Sequence, residues 1–169
     1  MKKFKLTSEF IVDISGVKLF RIKALIEFGN VKAGDLGGYI EKEENLSHMG
    51  NAWVSGNARV SGNAWVSGNA QVSGDARVSG NARVSGDAQV FGDARVSGDK
   101  DYAYAHGFGS CNRTTTFFRL KDGDVGVRCG CFYGTLAQFR DNVCETHGET
   151  KKAQEYLMLA DLMDFRFKN

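Results

Sequence analysis

The spacing of apolar positions changes along the chain, and its longest regular stretch has a period of six. Valine stands at 54, 60, 66, 72, 78, 84, 90 and 96, each two residues after an alanine, in units of the form V-S-G-N-A-x. On an extended segment residues two apart share a face, so Ala and Val point inward while x and Ser point outward. Gly followed by Asn or Asp then makes a corner, because these residue types tolerate left-handed backbone. One unit cannot bury its own Ala and Val, so the units must stack into a solenoid. Residues 48 to 101 hold nine such hexads.

Three hexads per coil make coils of 18 residues and about three coils; two hexads per coil is the narrower alternative. With 18-residue coils the outward x positions form three columns: Trp53, Gln71 and Gln89; Arg59, Arg77 and Arg95; Trp65, Arg83 and Asp101. The arginine column reads as a stripe for an anion or nucleic acid, or as a solvated edge that blocks sheet-to-sheet association. Corner residues Asp75, Asp87, Asp93 and Asp99 offset its charge. Trp53 and Trp65, large aromatics in outward slots, need a cover, supplied by the preceding segment or by a partner. Phe91 replaces Ser in an outward slot and reads as resting under the C-terminal segment or as an oligomer contact. His48 falls in the first inward slot.

The flanks follow other patterns. Residues 4 to 27 read as a β-hairpin around Ser15-Gly16, with Phe10, Val12 and Ile14 in alternation and then Val17, Leu19 and Ile22. Leu36 and Ile40 are the expected first inward residues before the repeat. Beyond Asp101, residues 114–120 and 125–130 read as two strands around a K-D-G-D turn. A helix follows with Thr135 as N-cap, Leu136, Phe139 and Val143 as its apolar stripe and Gly148 as its stop. A second helix, from about Thr150 to Phe167, carries Ala153, Tyr156, Leu157, Ala160 and Met163. The expected fold is mainly β: a left-handed parallel β-helix of about three coils (residues 48–101), an N-terminal β-hairpin cap (1–47) and a small C-terminal α+β module (102–169).

Composition narrows the classes. Twenty-one glycines and no proline suit a fold with many positive-φ turns. The net charge of +2 is spread as +1, 0 and +1 over the three segments, which speaks against a nucleic-acid-binding field. The basic start is followed by no apolar leader core, and no stretch approaches ~18 apolar residues, so a cytoplasmic protein without a membrane span is expected. In that compartment Cys111, Cys129, Cys131 and Cys144 stay thiols or bind metal.

The repeat V-S-G-N-A-x resembles the hexapeptide repeat of left-handed β-helix proteins, from which the coil geometry and hand above are taken. The segment R-I-x-A-L-x-x-F-x-x-V-K-A-G-D-x-G-G-Y-I-E-x-E-x-N-L-S, followed by G-N-A-W-V, is similar to phage and prophage repeat proteins. The later C-G-C-F-x-G-T-L-x-x-F and T-H-G-x-x-K-x-A-x-E-Y resemble the C-terminal module that accompanies them. This resemblance implies a non-catalytic, phage-type protein-protein interaction module acting in the bacterial host cytoplasm. Its partner would be a host protein, such as a defence complex of the CRISPR nuclease kind (an anti-CRISPR-like role), with Trp53, Trp65, Arg59, Arg77, Arg95 and Phe91 as contact residues and no cofactor. The alternative is a self-assembling structural protein, a homo-oligomer. A third reading is an acyltransferase, since many hexapeptide proteins are; those enzymes use a solenoid histidine and a loop protruding between coils, and no loop interrupts this repeat. For metal, Cys129, Cys131, Cys144 and His147 are zinc-type ligands at a non-standard spacing, and buried thiols explain the cysteines equally. A thiol nucleophile, Cys129 or Cys131 with His106 or His147, needs a juxtaposition that spacing does not supply.

Overall fold

The Ala and Val positions of the repeat are buried throughout, and the chain between them winds a three-sided β-solenoid. A computed structural model describes residues 1–168. Eight two-residue strands, Trp53–Val54, Arg59–Val60, Trp65–Val66, Gln71–Val72, Arg77–Val78, Arg83–Val84, Gln89–Val90 and Arg95–Val96, are β4 to β11. Trp53 pairs in parallel with Gln71 and Gln71 with Gln89; Arg59 pairs with Arg77 and Arg77 with Arg95; Trp65 pairs with Arg83. Each pair is 18 residues apart, so the coil has three hexads and the two-hexad alternative is set aside. Asp101 does not complete the third column. It lies in a short 3-10 turn, Asp99–Asp101, whose carboxylates bond backbone N–H groups of the last coil.

At the corners only the glycines are left-handed: Gly74 has φ +70° and Gly80 +62°. The following Asn and Asp keep ordinary backbone, correcting the expectation that both residues would turn left-handed. Their side chains instead bond along the stack, as Asn63 Nδ2 does to Asn81 Oδ1 at 3.3 Å and Asn69 Nδ2 to Asp87 Oδ1 at 3.1 Å.

The parallel stack begins before the strict repeat. The N-terminal strands are β1 (Phe4–Val12), β2 (Lys18–Ala24) and β3 (Leu36–Ile40), and they continue one solenoid face into a six-stranded sheet ordered β1-β2-β3-β5-β8-β11. Tyr39 pairs with Arg59 and Leu46 with Val66, both 20 residues apart. Two extra residues are therefore taken up between Leu46 and Trp53. Ile40 is inward as expected, now in the valine slot beside Val60, whereas the shift leaves Leu36 half exposed rather than inward and takes His48 out of the stack. His48 instead stacks on Phe4, ring centroids 4.3 Å apart. Phe10, Val12 and Ile14, expected to form the packing face of the hairpin, are exposed, and Leu19 is buried in their place.

Backbone polarity explains how the ends close. In each hexad the Gly, Ala and Val carbonyls accept from the coil before, as Gly74, Ala76 and Val78 accept from Asn57, Arg59 and Ser61. The N–H groups of x, Ser and Asn donate to the coil after. The first coil therefore leaves acceptors, and donors meet them. Lys3 Nζ donates to Ala52 O at 2.7 Å and Gly50 O at 3.3 Å, and Asn45 Nδ2 donates to Ala64 O at 2.8 Å and Gly62 O at 3.1 Å. The last coil leaves donors, and acceptors meet those: Thr116 Oγ1 takes Gln89 N–H, Asp99 Oδ1 takes Arg83 N–H, and the Tyr133 hydroxyl takes Asp93 N–H. Buried polar groups left unpaired are costly, so this matching is what lets a short solenoid end at all.

Burial lowers the Lys3 pKa from 10.5 to about 8. Between those values the unfolded chain binds more protons than the folded one, so stability rises with pH across that window. Urea unfolding at its two ends is expected to show this rise in the wild type and not in Lys3→Met.

The C-terminal unit is a sheet between two layers. Strands β12 (Tyr102–Phe108), β13 (Arg113–Arg119), β14 (Val125–Cys129) and β15 (Phe132–Thr135) form an antiparallel meander, followed by α1 (Leu136–His147) and α2 (Lys151–Phe167). Successive residues of β13 face opposite ways. Phe118 joins the solenoid core and closes its last coil, while Phe117 packs under the helices with Phe139. Thr135 caps α1, with Gln138 completing a reciprocal capping box, and Thr150 caps α2.

Candidate functional site

The residues singled out from the repeat meet different fates. Trp53 is only 4% exposed, its ring edge-on to Phe28 with centroids 5.3 Å apart, so the preceding segment covers it and no partner reaches it. That corrects its reading as a contact residue. Trp65, in the same slot two hexads on, is 41% exposed beside Glu43 and His48. Phe91 lies beneath the C-terminal unit, 4.9 Å from the Tyr133 ring and under the Arg128 guanidinium at 4.6 Å, which accounts for it without an oligomer.

Arg59, Arg77 and Arg95 do form a ladder. Arg21 extends it through Tyr39, to whose hydroxyl its Nη1 donates at 2.9 Å. Burial, and then neighbouring Arg77, lower the Arg95 pKa, while Asp93 and Asp75 oppose the shift. Arg95 Nη1 is spent on the carbonyls of Ala94 and Asp75 at 2.8 and 3.1 Å. The hairpin tip around Asp13 to Leu19 borders Arg59 and Arg77, enclosing a hollow of about 240 Å³. The ladder is therefore a partly covered, partly neutralised edge.

His48 has both ring nitrogens engaged. Its Nδ1 accepts from the Lys3 N–H at 3.1 Å, which places its proton on Nε2, 2.8 Å from Glu43 Oε1. No lone pair is left for a substrate. Glu43 is in turn held below the usual carboxylate range by hydrogen bonds from Lys2 and His48. The zinc-type set is not assembled: Cys129, Cys131 and His147 line one cleft, but Cys144 lies exposed on α1 outside it. Among the described residues no three His, Cys, Asp or Glu side chains form a metal-holding group. The motif C-G-C-F is a two-residue hairpin turn, Cys129 pairing with Phe132 and Gly130 at φ +58° taking the position that demands glycine. Cys129 is buried and accepts from the Thr115 hydroxyl at 3.2 Å.

A different surface stands out. Helix α2 buries Ala153, Tyr156, Ala160, Met163 and Phe167, yet a second apolar stripe faces outward: Met158 is 71% exposed, Leu162 56% and Phe165 79%. With Phe108 from the end of β12, Met158 and Leu162 line an apolar groove of about 400 Å³ bordered by Glu155. The spacing i, i+4, i+7 of these residues is a helix-face signal visible in the sequence. The buried stripe of Ala153, Tyr156, Ala160 and Met163 runs along the same helix at a similar period and masks it in the sequence.

The register of these strands and the matched ends define a β-solenoid repeat protein closed by its own flanking segments. Residues 50–68, 70–86 and 88–99 are similar to the family model described as the YdcK beta solenoid repeat. No curated protein matches the chain in sequence. Among the described residues no helix is long and apolar enough to cross a membrane.

Proposed function

We propose that the protein is a non-catalytic protein-protein interaction module that engages a partner through the apolar face of α2 and Phe108. The carrying observation is the exposed Met158, Leu162 and Phe165 stripe on a helix whose other face already fills the core. Apolar side chains at this spacing are the anchors by which helices seat in a partner's groove, and a clustered few of them supply most of the binding energy. The solenoid contributes rigidity, which lowers the ordering cost of docking, and Trp65 with the arginine ladder offers a secondary contact. The resemblance to phage and prophage repeat proteins points to a host protein as partner, such as a bacterial defence effector of the CRISPR nuclease kind.

Affinity capture from bacterial lysate, with Leu162→Glu/Phe165→Glu and Arg59→Glu/Arg77→Glu/Arg95→Glu variants in parallel, tests this. A stoichiometric host protein retained by the arginine variant and lost by the α2 variant is the expected result. Loss in the arginine variant alone would move the contact to the solenoid and defeat the α2 assignment.

Self-assembly is a second reading, favoured by the unpaired edge of β1 with Phe10, Val12 and Ile14 exposed beside it. Such edges pair with further strands unless blocked.

A further inference from the structure

The cleft that holds Cys129, Cys131 and His147 has a composition that neither the metal reading nor the α2 face explains. It measures about 490 Å³, within the usual range for small-molecule sites. Its floor is aromatic: Phe139 and Tyr156 are almost fully buried, their ring centroids 5.6 Å apart, and Phe132 lies 5.6 Å from Phe139. Its rim carries Arg113, Asn142 and His147, and none of these side chains makes a hydrogen bond or ion pair with another described residue. No carboxylate lines the cleft. A cation, an amide and an imidazole gathered around an aromatic floor, with no internal counter-charge, is the arrangement that receives an anion.

The rim is positioned rather than loose. Arg113 lies directly over the glycine of the hairpin turn, so that a Cβ on Gly130 would meet its Nη1 at 2.3 Å. The loop that delivers Arg113 holds two consecutive non-glycine residues, Cys111 and Asn112, left-handed at φ +59° and +46°. Backbone in that region costs free energy and persists where its surroundings impose it. Here the surroundings are α2, since the Tyr156 hydroxyl accepts Ser110 N–H at 2.9 Å and Glu155 Oε2 accepts Gly109 N–H at 2.7 Å.

We propose that this cleft binds a small organic anion, its carboxylate or phosphate held by Arg113 with Asn142 and His147 and its planar body lying against Phe132, Phe139 and Tyr156. Cys131 sits exposed at the mouth and reports occupancy, while Cys144, exposed outside the cleft, is an internal reference.

The full chain is titrated with phenyl phosphate, benzoate or neutral benzyl alcohol. Iodoacetamide alkylation of Cys131 relative to Cys144 is then read by peptide mass spectrometry. One or both anions are expected to protect Cys131 and benzyl alcohol to protect it far less, the better anion naming the ligand's acidic group. Arg113→Gln, melting like the wild type, is expected to raise the concentration needed for protection roughly tenfold, the weight of one charge-assisted bond. Arg140→Gln, which breaks only the exposed pair with Asp161, serves as the control that leaves protection unchanged. Absence of protection by either anion, equal protection by benzyl alcohol, or protection indifferent to Arg113→Gln would overturn the proposal.

Discussion

Replacing Gly80 by alanine is expected to destabilise the protein by roughly 2 to 5 kcal/mol, about 10 °C in melting temperature. Two costs coincide there. The residue has φ +62°, where an L side chain crowds its own backbone, and a Cβ would lie 2.4 Å from the Ser97 carbonyl oxygen of the next coil. That neighbour is backbone and cannot rotate away, so the coils must part locally. Gly16, at φ +82° in the hairpin tip, has nothing within 4 Å of the same atom. Gly16→Ala is expected to cost only the backbone part, about 1 kcal/mol. Thermal melts of both variants separate conformational strain from coil stacking. Equal losses would mean that the corner glycines serve the turn alone.

Asn45→Asp is the second large effect, expected at roughly 3 to 5 kcal/mol near neutral pH. Asn45 is fully buried, and its amide nitrogen is the donor for both Gly62 O and Ala64 O while its oxygen accepts Lys42 N–H at 2.9 Å. The isosteric carboxylate removes both donors and sets a buried charge against two carbonyls. Asn45→Ala removes the same bonds without the charge and is expected to cost less, about 2 to 3 kcal/mol. The introduced carboxyl, destabilised as an anion, has a folded-state pKa raised above the unfolded value of ~4. The folded state then binds the extra proton, and the deficit of Asn45→Asp relative to Asn45→Ala shrinks as pH falls through that raised pKa. Denaturant unfolding of both variants at neutral and mildly acidic pH shows whether it does.

What was legible in the sequence was what depends on local period. Val and Ala two residues apart, corner glycines six apart and the Thr135 cap all translate into structure through short-range geometry, and each is found as read. Tertiary accidents were not legible. Trp53 and Trp65 occupy equivalent slots, and only the placement of Phe28 makes one core and the other surface. An inward Ile40 ahead of the repeat was legible, but the register of that early stack, through Tyr39 and Leu46, was hidden because His48 and Met49 break the six-residue phase. Strand β12 is masked because its alternation runs through alanines and follows the last repeat without a break, and β15 because its four residues merge into the start of α1. Cys131 and His147 belong to one cleft only because a hairpin turn and the end of α1 meet in space, which no spacing along the chain encodes.

The claim that the α2 face stands open for another protein is tested most directly by sedimentation velocity of the wild type and Phe165→Glu over a concentration series. The account expects the two to sediment alike, whatever the assembly state, because the stripe contacts no second copy. A wild-type oligomer that falls to the 18.5 kDa chain in Phe165→Glu would make the stripe a self-interface and contradict it.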